Sequence, residues 1–193
     1  AIMEGGEKHE LFLSWIDKIA NFMKSLETPY GVRVPIIFRP WQTNGESKFW
    51  WDATVCSKQD YLALWQMVKE RFEKNDVVNV LYAYSPSASE DASAKTYLDR
   101  YPGDEKIDIL GINAYCHAEE GDSTALNTFA QTLDKNLKML ATLGKKANKP
   151  IALTETGYKS IPCDNWWTRI LSQAIGNTPI SYIMIWRNAH EVP

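Results

Sequence analysis

Two stretches concentrate the residue types that do chemistry. FRPWQTNGESKFWW, residues 38–51, closes a short apolar run with an Arg-Pro pair and Trp41, and its last ten residues mix amides, one carboxylate and three aromatics. Such a loop suits a sugar or an aromatic ligand, because aromatic faces stack on sugar C–H groups while amides bond hydroxyls. Glu46 is the only carboxylate it offers as an acid. The second stretch is ALTETGY, residues 152–158, in which Glu155 ends an apolar run. A glutamate buried at a strand end costs free energy unless paired or hydrogen-bonded, so a functional carboxylate is the reading favoured there. The bland alternative is a carboxylate that binds a neighbouring loop.

These residues need elements to hold them, and helix and strand signals alternate along the chain. Residues 7–26 place Leu11, Trp15, Ile19, Phe22 and Leu26 on one helical face, read as a core face. Residues 34–38 form an apolar run closed by Arg39-Pro40, read as a buried strand. Helical spacing returns over 60–74, through Tyr61, Leu64, Trp65, Val68 and Phe72. A strand over 77–84, a short helix over 93–101 and a strand over 107–115 follow. A long helix over 124–143 ends at Gly144, with Lys145, Lys146 and Lys149 suited to its C-terminus. A strand over 150–154, a helix capped by Asp164 and running to Gly176, and a strand over 180–186 complete the chain.

The pattern is five αβ units in one domain, 1–193, with continuously apolar strands. That predicts a parallel sheet covered by helices. Arg39, Ser85, Asn113 with Tyr115, Glu155, and Trp186-Arg187 follow the strands. Strand C-terminal ends carry the chemistry of parallel α/β folds. No glycine-rich phosphate loop marks a doubly wound sheet, whereas eight strands and ~250 residues are typical of a (β/α)8 barrel. With five strands, the expected fold is an incomplete (β/α)8 TIM barrel.

Composition narrows the function classes. The 193 residues are 45% hydrophobic and carry a net charge of −3, which suits a globular core and argues against a nucleic-acid or anionic-membrane partner. No apolar run reaches the ~20 residues of a membrane helix. Most of the eight tryptophans are expected in the core, with two or three left as ligand platforms. Cys56, Cys116 and Cys163 fit neither a zinc site nor a redox pair and are read as buried and structural; their odd number leaves at least one free thiol. His9, His117 and His190 are too scattered for a metal triad, so neither metal nor cofactor is expected; His117 is read as an exposed loop residue. Asp52, Asp91, Glu119, Glu120 and Asp122 are read as solvated loop carboxylates.

Taken together, FRPW with FWW, LYAYSP, YPGDEKIDILGINAY, ALTETGY and WRNA resemble, in order, the motifs of glycoside hydrolase family 26, the β-mannanases. The resemblance spans nearly the whole chain and corresponds to barrel strands 4 to 8. It implies a retaining glycosidase, in which two carboxyls ~5–5.5 Å apart serve as nucleophile and acid/base. Glu155 matches the nucleophile. Tyr115 matches the tyrosine that hydrogen-bonds it, Trp186 the tryptophan flooring the cleavage subsite, and Arg187 an arginine on the next sugar. Arg39 matches an orienter of carboxylates below the site. The family's His-Glu pair falls on Gln42 and Thr43, and threonine is far too weak an acid to protonate a leaving group. Lys48 replaces a site-lining tryptophan and Asn113 a usual aspartate. Glu46 lies three residues past the acid position, displaced by up to ~10 Å, and is the substitute acid to be tested. Trp50 and Trp51 keep the family's FWW, with Trp51 assigned to substrate.

The resemblance thus implies a β-mannan-directed hydrolase of weak or lost activity, or else a non-catalytic β-mannan-binding module. Its ligand would be β-mannan or a related plant polysaccharide, since related hydrolases act on xylan or mixed-linkage glucan. It also implies an extracellular or periplasmic location. Open sheet edges predict a homodimer or another association across those edges.

Overall fold

The computed structural model describes residues 1–42 and 49–186. Its elements are α1 (His9–Ser25), β1 (Ile36–Phe38), α2 (Lys58–Lys74), β2 (Val80–Tyr84), α3 (Ala94–Leu98), β3 (Ile109–Cys116), α4 (Ser123–Ala147), β4 (Ile151–Tyr158), α5 (Ser172–Ile175) and β5 (Ile180–Ile185). A π-helical segment, Trp166–Leu171, leads into α5. The alternation expected from the sequence is therefore present. Two compact units divide the described chain: residues 1–41, 49–83 and 100–108 form one, and residues 42, 84–99 and 109–186 the other.

In the first unit β1 and β2 pair in parallel, Ile36 opposite Val80 and Phe38 opposite Tyr82. Its core forms where α2 buries Tyr61, Leu64, Trp65, Val68 and Phe72, the five positions read from helical spacing. Ser57 caps that helix by accepting from the Asp60 N–H. The face of α1 differs from expectation. Phe12, Ile16, Ala20 and Met23 are buried, while Leu11, Trp15, Ile19 and Phe22 are exposed. The helix is apolar on two adjoining stripes, and α2 covers only one. Nor is β1 a buried strand, for Ile37 is exposed and its neighbours are half-buried.

The second unit holds the continuous core. β3 and β4 pair in parallel, β4 and β5 likewise, and all eight residues of β4 are buried. α4 lies against β3 and β4 through Leu133, Leu137 and Leu140. It does not stop at Gly144. The helix runs on to Ala147 and closes at Asn148 in the left-handed conformation, φ 54°. Gly144 instead lets α4 approach β4, because a Cβ there would collide with Ile151. Asp164 is not a cap either: the following turn begins after Asn165 with no side-chain capping bond. Among the cysteines only Cys116 is buried; Cys56 and Cys163 are half-exposed, and all three are free. Burial pushes the Cys116 thiol above its usual pKa, so it behaves as an inert core group.

Candidate functional site

The unusual feature of the second unit is a set of polar side chains inside an apolar core. Ser85, Asn113, Thr154, Glu155 and Thr156 are all buried, and Glu155 is only 3% exposed. Buried polar groups need partners, and Ser85, Asn113 and Thr154 find theirs in one network, whereas the Thr156 hydroxyl has none among the described residues. Ser85 Oγ donates to Asn113 Oδ1 at 3.4 Å and also bonds Thr154 Oγ1. Thr154 Oγ1 donates to the Ile112 carbonyl at 2.8 Å, and Asn113 Nδ2 to Ser87 Oγ at 3.4 Å.

A β-bulge explains why two successive residues of β4 serve this network. Ile112 pairs with Leu153, but the next β3 residue, Asn113, pairs with Glu155, leaving Thr154 as the extra residue. Side chains alternate along a strand, so without the bulge Thr154 and Glu155 would point to opposite faces. With it, both project on the side of Gly111, Asn113 and Tyr115. Gly111 makes room, since a Cβ there would lie 3.0 Å from Thr154 Oγ1 and nearer still to its methyl group. The TET sequence hints at polar residues in a core strand, but nothing in its spacing marks the slip.

Two residues beyond Glu155 on the same face is Gly157, paired with Tyr115. A Cβ on Gly157 would meet the Tyr115 ring at 3.4 Å and Trp186 Cβ at 3.9 Å. Tyr115 and Trp186 therefore flank a side-chain-free patch beside the carboxylate. Trp186 is fixed through its backbone N–H, which donates to the Thr156 carbonyl at 2.9 Å, while the residue is 53% exposed. A buried carboxylate beside a tyrosine and an exposed indole can serve as a nucleophile or as an acceptor of hydroxyl hydrogen bonds.

Gln42 is half-buried in the second unit, and Arg39 and Trp51 belong to the first. Trp51 stacks on Phe49, centroids 4.5 Å apart, and meets Trp41 and Trp50 edgewise; Trp50 is the exposed member of that cluster. Trp41 takes a left-handed backbone, φ 54°, rare for a bulky residue, and its carbonyl accepts a 3.0 Å hydrogen bond from Tyr61. Asp52 is not solvated as expected: it is buried, and its carboxylate accepts the Phe49 N–H at 3.1 Å, closing the turn that carries the tryptophans. His117 is exposed, with its ring 6.3 Å from that of Tyr115. Thr43, Glu46, Lys48, Arg187 and His190 lie outside the described residues. No cluster of three metal-ligating side chains occurs among the described residues, and no described helix is long and apolar enough to cross a membrane.

The chain is similar to known proteins over nearly its whole length. The family model for glycosyl hydrolase family 26 matches residues 2–174. A mannan endo-1,4-beta-mannosidase of Bifidobacterium adolescentis is 32% identical over 97% of the chain, which covers 20% of that protein. A mannan endo-1,4-beta-mannosidase of Bacillus subtilis is 28% identical over 74% of the chain and 35% of its own length. The solved structure of a GH26 beta-mannanase from Bacteroides ovatus superposes with a TM-score of 0.90 at 44% identity, over 99% of this chain and 53% of that one. The chain thus spans about half of that solved structure and less of the two curated relatives, and its five parallel strands with flanking helices are part of a (β/α)8 barrel. On the extent of the family match, the chain belongs to glycosyl hydrolase family 26.

Proposed function

We propose that the chain is a β-mannan-directed glycoside hydrolase domain with Glu155 as nucleophile and with activity weakened by Thr43 at the acid position. The observation that carries this reading is the bulge that turns Glu155 onto the face shared with Tyr115 and Trp186. The names of the relatives supply the substrate class. In this mechanism the Glu155 carboxylate attacks the anomeric carbon as the bond to the leaving oxygen breaks. Tyr115 keeps the carboxylate aligned, Trp186 carries the sugar ring, Arg187 holds the neighbouring sugar and Arg39 orients carboxylates. Gln42 and Trp51 line the substrate side. Without a glutamate at position 43, the leaving oxygen departs unprotonated and water attacks the glycosyl ester unassisted. Loss of general acid–base help slows such steps by about 10²–10⁴-fold.

A substrate that needs no acid tests this. A 2,4-dinitrophenyl β-mannoside leaves as a stable phenolate, so glycosylation of Glu155 is expected to proceed while galactomannan is cleaved at or near background. The covalent adduct is read by intact-protein mass spectrometry and vanishes in Glu155→Gln. No adduct in the wild-type chain sinks the nucleophile assignment. Glu46→Gln with an unchanged galactomannan rate removes Glu46 as a substitute acid.

The absence of the acid favours a second reading, a non-catalytic β-mannan-binding module. Calorimetry with mannohexaose separates it, because heat of binding without adduct formation selects the module. The proposal also places the protein outside the cytoplasm, extracellular or periplasmic, where polysaccharide is met. The exposed stripe Leu11, Trp15, Ile19 and Phe22 supports association with a second copy or with a further segment that covers it.

A further inference from the structure

A groove of about 680 Å³ opens in the second unit between the segment after β2 and the N-terminal half of α4. That volume lies in the usual range of small-ligand sites, about 300–1,000 Å³. Thr124, Thr128 and Thr132 line it at i, i+4 and i+8, one hydroxyl row along one helical face. Phe129 and Tyr115 contribute ring surface, and His117 stands at the rim. Glu90 and Asp122 border it, the Asp122 carboxylate capping α4 at the Ala125 N–H. No lysine or arginine is among the described lining residues, and Lys135 beside it is engaged with the Glu90 carbonyl. Hydroxyls and acceptors beside aromatic rings, without a cation, suit a neutral polyol and disfavour an anion.

The groove is also held open before any ligand arrives. Asn136 of α4 is buried; its Nδ2 donates to the Ser89 carbonyl at 2.8 Å and its Oδ1 accepts the Ser89 N–H at 3.3 Å. The same segment is laced to β3, with the Ala88 N–H on the Asn113 carbonyl at 2.8 Å and the Asn113 N–H on the Pro86 carbonyl at 3.0 Å. Both walls are thus pinned to the elements that carry the Glu155 face, and preorganised walls spare a weak ligand the ordering penalty. Tyr115 is common to the groove and to the patch over Gly157.

We propose that this groove binds one neutral hexosyl unit of a polysaccharide, as a subsite lateral to the Glu155 face. The polymer's identity rests on the mannan reading; hexose binding in the groove does not. The test is protein-observed NMR, titrating the chain with methyl α-D-galactoside, methyl β-D-mannoside and, separately, mannohexaose. Saturable shifts of the Ser89, Thr128 and Phe129 amides, with a millimolar Kd for at least one methyl hexoside, are expected. Thr128→Lys fills the groove and should abolish them. The milder Thr124→Ala with Thr128→Ala should weaken binding about fivefold, the worth of roughly one hydrogen bond. If mannohexaose moves the Trp186 indole while no hexoside moves the groove amides, the groove proposal is overturned and the mannan reading stands. If hexosides move the groove while mannohexaose leaves Trp186 unmoved, the groove stands and the mannan reading falls.

Discussion

Placing a methyl group on Gly111 tests whether the β4 bulge is held by packing against β3. In Gly111→Ala the new Cβ would sit 3.0 Å from Thr154 Oγ1 and closer to its methyl, where carbon atoms prefer about 3.5–4.0 Å. Thr154 cannot simply rotate away. Its hydroxyl bonds the Ile112 carbonyl at 2.8 Å and Ser85 Oγ, and the residue is 1% exposed. Overpacking of about 1–3 kcal/mol, with roughly one hydrogen bond lost or stretched, gives an expected destabilisation of about 2–4 kcal/mol. Equilibrium urea denaturation measures it. The control is Thr154→Ser, which removes the methyl and keeps the hydroxyl bonds. In that background Gly111→Ala should cost about 1–2 kcal/mol less, since only the looser contacts with the hydroxyl and Cβ remain, so the double-mutant cycle isolates the methyl contact. Equal costs in the two backgrounds would refute the reasoning. Because Glu155 follows Thr154, the single Gly111→Ala variant should also lose the mass-spectrometric adduct even where it remains folded.

Further outcomes follow from other parts of the chain. Arg71 donates to both Asp17 oxygens, at 2.6 and 2.5 Å, and this bond, reinforced by Asn75 against a smaller effect of burial, holds the Asp17 carboxyl below its usual pKa. A depressed carboxylate stabilises the fold above its unfolded pKa of about 3.9 and ceases to do so as pH falls through the folded value. Asp17→Asn should therefore lose about 1 kcal/mol near neutral pH in urea titrations, with the difference from wild type closing in acid; a pH-independent difference contradicts the pairing. Asn136→Ala removes both Ser89 bonds and should destabilise by about 2 kcal/mol while broadening the Ser89 and Glu90 amide signals; unchanged spectra would show that the clamp is not needed. Light scattering should report association that Trp15→Glu with Phe22→Glu abolishes, and a monodisperse wild-type monomer would count against a partner on α1.

Much of the architecture was legible in the chain because it rests on local periodicity. The spacing of Tyr61, Leu64, Trp65, Val68 and Phe72 located α2 and its buried face together, and the apolar runs ending in polar residues located β3, β4 and the carboxylate. Periodicity says that a stripe is apolar, not that something covers it, and so Leu11, Trp15, Ile19 and Phe22 were misassigned to a core. Asp52 was placed in solvent for the same kind of reason: residue type carries an average exposure, and it is the fold of the Phe49 turn that buries this carboxylate against the Phe49 N–H.

By itself, the sequence determined the αβ alternation and set Glu155 within an apolar stretch, although it ended that strand before Glu155, whereas β4 runs through Glu155 to Tyr158. The tertiary structure decided which way Glu155 faces. Strand alternation would send Thr154 and Glu155 to opposite sides, and only the one-residue slip against β3, allowed by the missing side chain of Gly111, turns both the same way. It likewise gathered Asn136 and Ser89, 47 residues apart, into the clamp beside the threonine groove. Pairing register and long-range hydrogen bonds are properties of two segments at once, and no single stretch of sequence contains them.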